Sequence, residues 1–78
     1  MPHIVIKTIE GKSQEQLREA AEQAKIAVSK SLGKPEKYFS VAVESYSLGE
    51  WEGVYNENIK DNDSVIIKPG YSNPVTFE

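Results

Sequence analysis

The stretch SQEQLREAAEQAKIAVSKSLG, from Ser13 to Gly33, decides most of what this chain can become. Ser13 followed by Gln16 is a capping-box signature: the hydroxyl takes an amide of the first turn, and the Gln side chain reaches back to the cap. Leu17, Ala20, Ala21, Ala24, Ala27, Val28 and Leu32 recur at spacings of three and four and form one apolar stripe. Gly33 stands where a left-handed cap is expected, and Pro35 forbids resumption. The helix predicted over 13–32 is about 30 Å long at ~1.5 Å per residue. With 78 residues in all, the chain has room for one domain, 1–78, built around it.

Strands are expected on both sides of that helix. PHIVIKTI is rich in β-branched residues and predicts a strand over 2–9, with Ile4, Ile6 and Thr8 on one face and His3, Val5 and Lys7 on the other. YFSVAVESY predicts a second over 39–46, with Phe39, Val41 and Val43 opposed to Ser40, Ala42 and Glu44. Strand, long helix, strand is a β-α-β unit, so the strands should be parallel and the crossover right-handed. Parallel strands need cover on both faces, and this chain offers one substantial helix. A second subunit is the economical way to complete the sheet. The fold class is therefore α+β, with a C-terminal extension expected to be irregular. SLGEWEGVYNENI suggests a turn and a short strand, Val65–Ile67 a short strand or one helical turn, and Pro69, Gly70 and Pro74 an irregular tail.

Composition removes several functions. Cysteine is absent, which excludes disulfides and thiolate metal sites, and one histidine makes a His-based zinc site implausible. Net charge is −3 with the signs mixed, so no basic stripe is available for nucleic acid. No apolar run is long enough for a membrane span and no signal-peptide pattern opens the chain, so the cytoplasm is the default expectation. Phosphate-binding glycine loops, HExxH and nucleophile elbows are absent. Glu44 and Glu50 form no persuasive carboxylate pair in a chain with twelve acids.

Pro2 carries a different kind of signal. A proline can start a strand without losing a ladder hydrogen bond, which is the structural explanation. The chemical one is that removal of Met1, usual before a small residue, leaves a free secondary amine. A chain-terminal amine titrates near ~7.7–8.0, a prolyl amine somewhat higher, and apolar surroundings or a nearby cation favour the neutral base. Ile4, Phe39 and Trp51 could supply the first effect and Lys12 the second.

The pattern MPHIVIK, EGKSQEQ, AVSKSLG, FSVAVES and LGEW, in that order, resembles the tautomerase superfamily built around 4-oxalocrotonate tautomerase. The likeness runs from Pro2 to about Trp51. The tail, WEGVYNENI and DSVIIKPGY, resembles the longer subgroup that includes phenylpyruvate tautomerase. The resemblance implies that Pro2 is the catalytic base. It also implies that Lys12 stands where the family has a carboxylate-binding arginine, Ser40 where it has a second arginine, and Trp51 where an aromatic residue walls the site. Lys12 keeps the charge but not the bidentate fork.

The implied reaction is enol–keto tautomerisation of a 2-oxo acid, without cofactor or metal, in a homo-oligomer for which a dimer is favoured over a hexamer. One cation and a large aromatic wall suit a monocarboxylate such as phenylenolpyruvate. Two other possibilities stay open: a dehalogenase- or decarboxylase-like reaction on the same scaffold, and a non-catalytic oligomeric binding protein. His3 is read as a strand residue; Lys12 has the alternative reading of a solvated turn residue, and Trp51 that of interface packing. Tyr38, Tyr46, Tyr55 and Tyr71 are read as packing or interface residues.

Overall fold

In the computed structural model, which describes residues 1–78, the first strand, β1, runs His3–Ile9. It is followed by a long helix, α1 (Gln14–Leu32), a 3-10 turn (Glu36–Tyr38) and a second strand, β2 (Ser40–Tyr46). The β-α-β order expected from the sequence is present, with each strand one residue shorter than predicted and Ser13 serving as cap. The chain divides into two compact units, Met1–Ser45 and Tyr46–Glu78.

The ends of α1 are built as the sequence signals. The Gln16 amide donates to Ser13 Oγ at 3.1 Å, and the Ser13 amide donates to Gln16 Oε1 at 3.0 Å. Such a cap contributes about 1 kcal/mol. Gly33 closes the helix at φ 64°, and Gly11, in the turn that enters it, sits at φ 125°. Both angles are strained for any residue with a Cβ. Lys25 ties the helix to the following 3-10 turn through Glu22 at 3.1 Å and Glu36 at 3.5 Å.

Three contacts fix the register of the sheet. The Ser40 amide donates to the Pro2 carbonyl at 3.2 Å, His3 Nδ1 meets Ser40 Oγ at 2.6 Å, and Lys7 Nζ meets Glu44 Oε1 at 2.5 Å. Residues 3 and 7 thus stand opposite 40 and 44 in the same sense, so the strands are parallel. His3–Ser40, Val5–Ala42 and Lys7–Glu44 form successive rows on the face away from α1. Ile4, Ile6, Thr8, Phe39, Val41 and Val43 occupy the face toward it, all half-buried.

The apolar stripe of α1 is only partly used. Leu17, Ala21, Ala24 and Val28 are half-buried, whereas Ala20, Ala27 and Leu32 are exposed. The single protomer offers the helix one sheet face, which is narrower than the stripe. Val54 is the one residue buried in the chain, at 7% exposure. A two-stranded sheet with one bare face cannot enclose a core by itself.

The C-terminal unit departs from the sequence expectation. Residues 48–59 are helical and not a turn with a short strand. A 3-10 turn (Leu48–Glu50) runs into α2 (Trp51–Val54) and then a π-helical turn (Tyr55–Ile59), in which the Lys60 amide reaches the Tyr55 carbonyl at 2.8 Å. The physical reason is a second capping box, Ser47 with Glu50, which offsets the helix-weakening of Gly49 and Gly53. Val65–Ile67 forms neither strand nor helical turn but a bend, with Ile66 at 94% exposure and Ile67 at 88%. Aromatic rings hold the unit together. Tyr71 packs on Tyr55 at 5.8 Å and on Phe77 at 5.3 Å between centroids, and its hydroxyl accepts from Trp51 Nε1 at 3.0 Å.

Candidate active site

Pro2 stands at the free start of β1, and its carbonyl is the first acceptor of the sheet, taken by the Ser40 amide. Met1 in front of it is 94% exposed, while Pro2 itself is half-buried. Ser40 is thereby brought beside Pro2, joined to it through the backbone and to His3 through its hydroxyl. Pro2, His3 and Ser40 gather at one end of the sheet.

Lys12 lies at the other end. The chain must run the seven residues of β1 before reaching it, which at ~3.3 Å per residue is on the order of 20 Å. Direct proton transfer or charge contact requires groups within about 3 Å. Within one protomer Lys12 therefore does not meet Pro2. The Lys12 side chain is exposed and immediately precedes the helix cap, in a turn that the positive φ of Gly11 allows.

Trp51 belongs to the C-terminal unit and is half-buried there. Tyr46 meets it edge-on at 6.5 Å between centroids, and its indole N–H is committed to Tyr71. What it has left to offer a ligand is its ring. The Ser47–Glu50 box sets the start of the turn that carries it: the Ser47 amide donates to Glu50 Oε1 at 2.7 Å, and the Glu50 amide to Ser47 Oγ at 3.2 Å. The backbone hydrogen bond from Ser47, with help from its side chain, holds the Glu50 carboxyl below its usual 4.5. A depressed carboxyl stabilises the folded state above its ordinary pKa, and that contribution fades as pH falls through the folded value. Trp51 emission is expected to change below pH 4.5 in wild type, and Glu50→Gln should lose that acid step while keeping a side-chain acceptor.

The sequence candidates Glu44 and Glu50 do not act as a pair, because Glu44 is engaged by Lys7 and Glu50 by Ser47. An open groove of about 800 Å³ runs between α1 and β2, floored by Leu17, Ala21, Val41 and Val43 and rimmed by Arg18 and Lys25. Pro2, Lys12 and Ser40 do not line it. A large groove is the default site in many proteins, yet this one, lined by polar and apolar side chains alike, does not include the terminal proline.

Comparison with known proteins bears on the family and the fold. The profile of the family described as "Tautomerase enzyme" matches residues 2–62. The chain belongs to the tautomerase family. A probable tautomerase of Xylella fastidiosa (strain 9a5c) is 36% identical over 73 residues, covering 91% of this chain and 89% of that protein. A probable tautomerase of Bacillus cereus is 38% identical over 51 residues, 65% of this chain and 84% of its own. Among solved structures, YwhB, a homologue of 4-oxalocrotonate tautomerase, superposes with a TM-score of 0.57 at 30% identity, over 59% of this chain and 75% of its own. TomN, a 4-oxalocrotonate tautomerase homologue in the tomaymycin biosynthetic pathway, gives 0.62 at 28% identity, over 64% and 77%. The matched fold is the tautomerase β-α-β unit. This tautomerase has no helix long and apolar enough to cross a membrane.

His3 is a strand residue, as read from the sequence, and it also meets Ser40. Its position in the sequence identified it as Pro2's neighbour. Its contact with Ser40 depends on inter-strand register, for which strand alternation gives the face but not the row.

Proposed function

We propose that this tautomerase converts enols of 2-oxo acids to their keto forms without a cofactor, acting on monocarboxylates with an aryl tail such as phenylenolpyruvate, with the Pro2 nitrogen as general base. The observation that carries the reading is the position of Pro2, immediately before β1 and behind an exposed Met1. With Met1 removed, that nitrogen is a secondary amine at the strand's tip. It takes the proton of the enol hydroxyl while the C2–O bond becomes a carbonyl. The electron pair of the C2–C3 double bond moves to C3, which takes a proton from the prolyl ammonium. The base is regenerated and the balance closes.

Lys12 serves the substrate carboxylate from a second protomer. The separation of about 20 Å along β1 leaves no route within one chain. Assembly as a homodimer is the accompanying proposal, supported by the bare sheet face, the single buried residue and the exposed Val5, Leu32, Leu48, Ile66 and Ile67. Trp51, its N–H already committed, gives an aryl tail a ring to pack on. The subgroup resemblance of the KPGY tail, from Lys68 to Tyr71, points to the same substrate class.

A ketonisation panel of aryl and alkyl enolpyruvates tests the substrate reading. Lys12→Ala is expected to lose about 10- to 100-fold in kcat/KM on both, the worth of a charge-assisted hydrogen bond. Trp51→Leu should lose more on aryl than on alkyl substrates. Unchanged kcat/KM for aryl enolpyruvates in both variants would remove the substrate assignment.

A further inference from the structure

We propose that His3, held by Ser40, is a substrate-binding residue of the Pro2 site, its Nε2–H donating a hydrogen bond to the substrate oxygen that Pro2 deprotonates. The inference rests on the tautomerase reading above and extends it to a residue and an atom.

Two hydrogen bonds converge on Ser40. Its amide holds the carbonyl of Pro2 at 3.2 Å, and its hydroxyl lies 2.6 Å from His3 Nδ1. One residue thus ties down both the strand tip that bears the base and the imidazole beside it. The proposed role takes the tautomer in which the hydroxyl donates to Nδ1 of the neutral ring and the ring proton sits on Nε2; the other tautomer, with Nδ1–H donating to the hydroxyl, leaves Nε2 an acceptor. In the protonated ring Nδ1–H donates to the hydroxyl instead, and Nε2 still carries a proton. The free end of the imidazole is a donor in the Nε2–H tautomer and in the protonated ring. Both residues are exposed in the single chain, at the end of the sheet where Pro2 stands.

A cross-strand tie alone is the competing explanation, and the same face shows what such a tie looks like. Lys7–Glu44, two rows further along, joins the strands at 2.5 Å. The His3–Ser40 row differs in standing beside Pro2, and His3 is the single histidine of the chain. When the base takes the enol proton, negative charge grows on the C2 oxygen. That oxygen must lie within hydrogen-bond reach of the Pro2 nitrogen, one residue from His3. A donor fixed there before the reaction stabilises that charge with little reorganisation.

The test uses paired amide substitutions, with phenylenolpyruvate as probe and kcat, KM and thermal unfolding as readouts. His3→Asn places an amide near the Nδ1 position, where it can still meet Ser40, but has nothing at Nε2. His3→Gln places its amide near the Nε2 position. If the outer donor binds the oxygen, kcat falls on the order of 10²-fold in His3→Asn with KM changed far less, and His3→Gln recovers much of it. Ser40→Ala should lower kcat by severalfold, since the ring is then free to turn. Lys7→Gln, which breaks the other row, should leave kcat unchanged. The proposal is overturned if His3→Asn keeps wild-type kcat, or if Asn outperforms Gln, the pattern of a purely structural tie. A Pro2→Ala arm separates the two levels. If Pro2→Ala is as active as wild type, the proline-base reading fails and this inference falls with it. If Pro2→Ala is impaired while His3→Asn is not, the inference alone fails.

Discussion

Replacing Pro2 with alanine should lower kcat/KM for phenylenolpyruvate by at least about 10²-fold, the usual worth of a positioned general base. Alanine leaves a primary amine on a backbone no longer fixed in φ, so the loss measures both basicity and placement. The structure predicts little change in folding, because Pro2 contributes only its carbonyl to the sheet and alanine keeps that acceptor. Circular dichroism should therefore overlay while activity collapses. Intact mass provides the companion measurement, since an active preparation must lack Met1. Retained Met1 in a fully active sample would end the proline-base mechanism, because the nitrogen would be an amide with no basic lone pair.

The second large effect concerns where Lys12 acts. Pro2→Ala and Lys12→Ala chains, each weak alone, should regain activity when unfolded and refolded together. A heterodimer would hold one site with both residues intact and one with neither. Random pairing makes half of the dimers mixed, so about a quarter of wild-type activity is expected for a two-fold dimer. If both residues served one site within a single chain, the mixture would show no more than the sum of its parts. The experiment reads the site's composition through rate alone. The separation of about 20 Å along β1 is the reason to expect recovery.

How far these features could be read from the sequence depends on how local their causes are. The cap at Ser13, the stop at Gly33 and the alternation in both strands are decided by residues within a few positions of one another, and each is where the sequence placed it. The helical stretch 48–59 was hidden by Gly49 and Gly53, although Ser47 and Glu50 repeat the same box that announced α1. Pro2 is singled out by the amine chemistry of its position and Ser40 by resemblance, and their adjacency follows from strand pairing. Lys12 was named as a cation near the amine, but no sequence pattern says that the seven residues of β1 hold it on the order of 20 Å from Pro2 within one chain. The Ser40–His3 contact needed the row as well as the face. Trp51 was legible as a large aromatic, while the commitment of its N–H to Tyr71 depends on a tail folding back across twenty positions.

The exposure of Met1 has a consequence for how activity is acquired. On the proposed mechanism, a newly made chain is a silent precursor, able to fold while its base is locked in an amide. One irreversible cut, outside the sheet and α1, switches it on. Any extension left in front of Pro2, including an affinity tag, would hold the protein in that precursor state, folded and inert. Specific activity would then report the fraction of chains trimmed before it reported anything about substrate.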